Sequence, residues 1–327
     1  MRLHRNPAKQ GERLRMKTHL AALSAAVLAL SASFLHADTS ASTLLEQGHV
    51  DEVIAQLTPA KDAAAHDLLC RAYYSEDHAD EAVRECEAAV AAAPGNSAYH
   101  RILGEAYGLK ASKSGKFTAF GLAKKASAAW EKAIQLDPKN ADALSDLGDF
   151  SVDAPGLVGG GLDRAKSIAP RLLAVSSPRG HRLLARIAEK QNDIPGAEKE
   201  YIAAATGAHA AAGYVDLAGF YKRHGTKTQV LSAVKSAVAA DPSRDYSVSD
   251  AAGTLIEAGL DAKLAQHLYR SYLDGPSRSE GAPACRVYTE LGRNLAATGD
   301  TAGAKAAFAA ALALAKNYAP AQKAAGR

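Results

Sequence analysis

The chain has 327 residues, 47% of them apolar, 6% aromatic and 23% charged. Its formal charge of +4 lies in the first 37 residues, which carry a net +5 and leave −1 for the remainder, so the charge of residues 38–327 does not argue for nucleic-acid binding. Three cysteines are too few for a disulfide framework, and strand-length runs of Val and Ile are nearly absent beyond the leader, which argues against a sheet.

In chain order, Lys17 and His19 come first, then residues 20–35, apolar apart from three serines, then His36 and Ala37 before Asp38. A basic start, an apolar run of about fifteen residues and a small residue at the cut describe a secretory signal spanning residues 1–37. The run is short for a membrane span, and no later stretch is long and apolar enough to make one. Met16 is a more usual start than Met1, so residues 1–15 read as an extension of the true start. The expectation is an exported protein, periplasmic in a two-membrane bacterium, with no transmembrane span in residues 38–327.

Beyond the leader a pattern recurs. Leu69, Cys70 and Tyr73 are followed by Ala82, Cys86, Ala89 and Pro94. Leu103, Gly104 and Tyr107 are followed by Ala126, Trp130, Ala133 and Pro138. Gly148, Ala165 and Ala197 mark two intermediate units; Leu217, Ala218 and Tyr221 lead to Val230, Val234 and Pro242; Leu291 and Gly292 lead to Ala304 and Phe308. Apolar and small residues three and four apart give each half of a unit helix spacing, and Pro-Gly-Asn or Asp-Pro closes several units.

This pattern resembles the tetratricopeptide repeat (TPR) family, whose 34-residue helix pairs carry Leu-Gly-Tyr in the first helix and Ala-Phe-Ala-Pro in the second. The resemblance implies an all-α, right-handed superhelical solenoid of antiparallel helix pairs, about seven of them, over residues 38–327. It implies that small residues let the helices of a pair approach, with Gly104 facing Ala126, and that Tyr73, Tyr107 and Tyr221 wedge between layers. It also places Cys70 opposite Ala82 and Cys86 one turn further on. A disulfide is then within reach but offset, and two buried thiols are the plainer expectation, with Cys285 a free thiol.

The pattern is short in the first unit, lacks the wedge aromatic in 178–209, is degenerate over 245–273, and is interrupted at three further places. An insertion at 108–125 carries Lys110, Lys113, Lys116, Lys124 and Lys125, so that residues 110–132 are net +5, and it holds Phe117 and Phe120. It reads either as a solvated helix extension or as a docking surface for an anionic partner. A second insertion at 152–162 is a loop around Gly159-Gly160-Gly161. The third is a polar, Gly-, Pro- and Ser-rich linker at 274–284, flexible or extended.

Chemistry-bearing motifs are absent. Residues 108–116 end in Gly115-Lys116, but the glycine spacing is wrong for a phosphate loop and Phe117 stands where Ser or Thr would hold magnesium. His66, His100 and His181 recur near the starts of first helices, too far apart for shared metal ligation, and read as half-buried or groove residues. No metal, cofactor or catalytic set is expected. The resemblance implies a non-catalytic scaffold or assembly adaptor that holds a protein or peptide partner in a concave groove. The alternative is a small-ligand or glycan-binding accessory protein using the insertions at 108–161.

Overall fold

The computed structural model describes residues 41–206 and 210–326. The expected signal peptide lies outside the described residues. Every regular element among the described residues is helical. Residues 41–47 form α1, followed by α2 (Val50–Leu57), α3 (Ala63–Ser75), α4 (Ala79–Ala92), α5 (Ser97–Ser112), α6 (Lys116–Leu136) and α7 (Ala141–Asp153). A 3-10 turn at Gly156–Val158 leads to α8 (Leu162–Val175), α9 (Ser177–Lys190), α10 (Ile194–Ala204), α11 (Ala210–His224) and α12 (Lys227–Ala240). The chain ends with α13 (Tyr246–Glu257), α14 (Ala262–Leu273), α15 (Ala284–Ala297), α16 (Thr301–Leu314) and α17 (Ala319–Ala324).

Short polar residues start these helices. Asp62, Asn96, Asn140, Asp193, Asp245, Asp261 and Asp300 each accept a bond from a backbone N–H of the first turn, and Thr226 with Gln229 forms a reciprocal capping box. These caps satisfy donors that a helix start otherwise leaves bare. Consecutive helices then pair as antiparallel neighbours, and each pair packs on the next. The odd-numbered helices also touch one another from pair to pair, as α7 with α9, α11 with α13 and α13 with α15, whereas no comparable row links the even-numbered helices. The odd helices therefore form the tighter, inner layer.

Within a pair, a small residue of the inner helix lies beneath a large one of the outer helix. A Cβ added to Gly104 would sit 2.5 Å from Trp130 Nε1, and one added to Gly292 would sit 2.5 Å from a Phe308 ring carbon. The Trp130 indole thus covers Gly104, and Ala126, the expected neighbour of Gly104, is buried one turn before Trp130 on the same helix. Gly148 instead faces Leu183 of the following inner helix. Cys70 and Cys86 occupy the positions of Gly292 and Phe308, sixteen residues apart in both cases. They are joined by a disulfide, with Cα atoms 5.2 Å apart. The expectation of two free thiols treated a one-turn offset as added distance; the close contact of these two positions removes most of it. Cys285 is a free, buried thiol.

The array closes on itself. One core cluster joins Leu45, Val50, Val53, Leu68 and Leu69 from the first helices to Cys285, Leu312, Ala315 and Tyr318 from the last. A Cβ on Gly48 would lie 2.8 Å from that of Ala284. Polar contacts seal the seam: Arg71 Nε donates to Glu280 at 2.8 Å, and the Lys316 backbone N–H donates to Asp51 at 2.9 Å. The segment 274–284, read as a flexible or extended linker, supplies Glu280 to this seam and is held by Tyr272, whose hydroxyl accepts from Ser279 N at 2.9 Å and donates to Ala282 O at 2.7 Å.

Candidate inner-face interaction site

Charged residues three and four apart place both signs on the inward side of the odd helices. On α5, Arg101 spans Glu105 at 2.5 Å and Asp146 of α7 at 2.9 Å. On α9, Arg182 reaches Asp149 of α7 at 2.6 Å and Asp216 of α11 at 3.1 Å, while Arg186 reaches Asp149 at 2.6 Å and Asp153 at 2.5 Å. Arg71 pairs with both Asp67, at 3.2 Å, and Glu280. The ladder thus ties neighbouring inner helices and ends at the seam.

The ladder is crowded with carboxylates in partly desolvated surroundings, which favours their neutral form. Burial pushes Glu105 up to about 7, against the pull of Arg101, and Asp146 up to about 6. Burial also raises Asp216 and Glu280. Asp250 of α13 is pushed up to about 6 by burial, with Arg286 opposing and Asp216 and Asp245 reinforcing. Two tyrosines open onto this face. Tyr74, 40% exposed, lies in the field of Glu105, Asp146 and Arg286; Tyr246, 39% exposed, lies near Asp250, Arg179 and Asp216. Between α11, α13, α14 and α15 a cavity of about 320 Å³ is lined by Val215, Ser249, Asp250, Gly253, Thr254, Glu257, Tyr269, Arg286, Val287 and Glu290.

The sequence-level candidates lie elsewhere and do not come together. His66 Nδ1 meets Glu85 at 2.7 Å and His181 Nδ1 meets Glu200 at 2.7 Å, each inside its own helix pair, while His100 Nε2 meets the Pro94 carbonyl at 2.9 Å. His66 and His181 are half-buried, and each ties the two helices of its own pair together. Among the described residues no cluster of His, Cys, Asp or Glu is arranged to hold a metal ion. The insertion at 108–125 is absorbed as extra helical turns at the end of α5 and the start of α6. Lys110 pairs with Asp80 at 2.8 Å and Lys113 with Asp77 at 2.5 Å, so two of its lysines are neutralised by α4 and the turn before it. Lys124 lies 4.8 Å over the Phe120 ring, and Phe117, 99% exposed, covers nothing. The loop at 152–162 docks on α6 and α8, where the Gly159 carbonyl accepts from Arg164 and from Ser127. The inner-face ladder was missed because its Arg and Asp residues read individually as a solvated surface; their recurrence on the inner helices was the available signal.

No family model and no curated protein matches the chain. Solved structures do. Yeast Tom70 is 13% identical over 84% of this chain and 57% of its own, with a TM-score of 0.51. TTC0263, a thermophilic TPR protein of Thermus thermophilus, is 17% identical over 58% of this chain and 89% of its own, at 0.42. PilF of Pseudomonas aeruginosa is 15% identical over 69% and 97%, at 0.36. At such identities the likeness concerns the fold alone. With no strand among the described residues and helices paired in order throughout, the chain is an all-α, TPR-like solenoid of antiparallel helix pairs.

Proposed function

We propose that this chain is an exported, non-catalytic scaffold that holds a partner protein or peptide against its inner face. The observation that carries the reading is the inner face itself: a row of charged residues and two exposed tyrosines that the fold leaves facing inward. Charged and aromatic groups in that setting provide steering and anchoring for an extended partner. The leader argues for export, into the periplasm of a two-membrane bacterium.

Photo-crosslinking in the cell tests this. A benzoylphenylalanine at Tyr74 or Tyr246 should capture a partner of defined mass, and one at Ile202 of outer helix α10 should not. Capture from Ile202 alone would overturn the reading. Processed protein should begin near Asp38; intact Met1 or Met16 on cytoplasmic protein would sink the export claim. A second reading has one observation in its favour. Phe117 stands bare beside Lys116, as an anchor for a small ligand or glycan at the 108–161 insertions would. Ligand retained on native mass spectrometry and lost in Phe117→Ser would favour it.

A further inference from the structure

Glu76 caps the end of α3, beside the seam where the first helices meet the last. The residue is fully buried, and neither carboxyl oxygen has a well-formed hydrogen bond among the described residues. Buried polar groups are nearly always paired, so an acid left in this state needs a physical reason. His78 Nδ1, on the same turn, stops 3.5 Å from Oε2. Across the seam the carboxyl faces the Asn317 backbone N–H and Lys316, with Asp51 of α2 and Cys285 of α15 also in its field.

These neighbours leave the charge of Glu76 largely unanswered. Burial lifts the carboxyl above its ordinary range; His78 opposes, Asp51 reinforces, and the Asn317 N–H and Lys316 oppose. Lys316 is exposed, and its backbone N–H is bonded to Asp51. Burial also pushes Cys285 and Tyr318 up to about 12 and raises Tyr73, so all three stay neutral. Glu280, the other acid of the seam, is held by Arg71. The ion-pair contact of Glu76 is His78, which carries charge only while protonated. An ionised carboxylate without partners in a dry site is costly, and hydration relieves it. Water can reach Glu76 if α3 leaves α4 or if the seam parts. The Cys70–Cys86 disulfide ties α3 to α4, whereas the seam is held by packing and polar contacts, so the seam is the side that yields.

We propose that Glu76 is a proton-operated latch on the closed array: the seam stays shut while the carboxyl keeps its proton and loosens once it is ionised. The closed seam holds that proton more tightly than the open one, where water surrounds the group. Closure is therefore fullest below the ordinary carboxylate range and weakens as pH rises through the closed-state value. His78 works in the same direction, because its balancing charge disappears as pH rises.

Cys285 reports the latch without any partner present. It is buried in the seam core, so a thiol reagent reaches it through an opening. The rate of labelling by dithiodipyridine, divided by that of N-acetylcysteine at the same pH, gives the open fraction. That fraction should rise roughly tenfold or more between about pH 5 and pH 8, the worth of one uncompensated buried charge. Urea should change it little, since only the seam parts. Glu76→Gln should keep the fraction low and flat, and so should Glu76→Met, which keeps the volume and removes the polar atoms. Glu105→Gln, on the inner face, should leave the rise intact. A fraction independent of pH in the parent protein, or the same rise in both Glu76 variants, would overturn the latch. A rise with the urea dependence of complete unfolding would overturn it too. The scaffold reading stands or falls separately, on the crosslinks from Tyr74 and Tyr246.

Discussion

A methyl group at Gly104 would sit 2.5 Å from the Trp130 indole nitrogen, closer than packed atoms tolerate. Gly104→Ala should therefore cost roughly 1–3 kcal/mol through overpacking, read as a lower urea midpoint at constant slope. The matching positions in the first full repeat hold Cys70 and Cys86, where a covalent bond replaces glycine-on-aromatic contact. The bond closes a sixteen-residue separation, worth about 3 kcal/mol in the chain-entropy model. Alkylation of unfolded, unreduced protein should label Cys285 alone, and reduction should lower stability by about that amount; label on all three cysteines would exclude the bridge. The small and aromatic positions were legible in the sequence, but their pairing was not. Matching small residue to small residue set Gly104 against Ala126 and Cys70 against Ala82, and left the large partner of each one turn away. Comparing Cys70 and Cys86 with Gly292 and Phe308 would have found the disulfide, because the spacing is the same.

At the scale of the helix, the inner layer sets the pH response. Glu105, raised to about 7, and Asp146 and Asp250, each raised to about 6, bind protons more tightly when folded than when unfolded. Their stabilising effect is complete below the ordinary carboxylate range and is lost as pH rises through 6 to 7. The thermal midpoint should fall between pH 5 and pH 8, and Glu105→Gln should flatten that slope; a midpoint rising with pH would contradict the assignment. Glu85 and Glu189 act in the opposite sense. Burial opposes their charge, but His66 and Arg84 hold Glu85 below its ordinary value, and Arg223, His224 and Tyr201 do the same for Glu189. Their effect lies below pH 4.5 and leaves the window above pH 5 to the inner face. Helix boundaries at Pro94, Pro138 and Pro242 were legible because proline and its neighbours punctuate locally. The fate of the insertion at 108–125 was not, since whether Lys110 and Lys113 face solvent or Asp80 and Asp77 depends on the neighbouring helix pair.

For the molecule as a whole, repeats in a row were legible but their closure was not, because no local pattern encodes the contact of residues 41–72 with residues 280–321. Arg71 is the most exacting polar contact of that seam. Arg71→Ala would leave Asp67 and Glu280 unneutralised across it. Breaking a buried pair from one side costs about 3–5 kcal/mol; this pair is only half-buried, so roughly 1–3 kcal/mol is expected. Hydrogen exchange should quicken together over residues 41–57 and 311–324, and unchanged exchange at either end would show that the seam does not depend on this pair. An open array has two terminal units, each with one neighbour, and these fray first. Here the terminal units are neighbours of each other, so the array has a cyclic boundary. Melting any one pair first forfeits two interfaces, so the ends of the chain lose their advantage as the place where unfolding begins. The same boundary governs traffic: an extended chain cannot slip sideways into the interior, and has to thread through a face of the ring or wait for the seam to part.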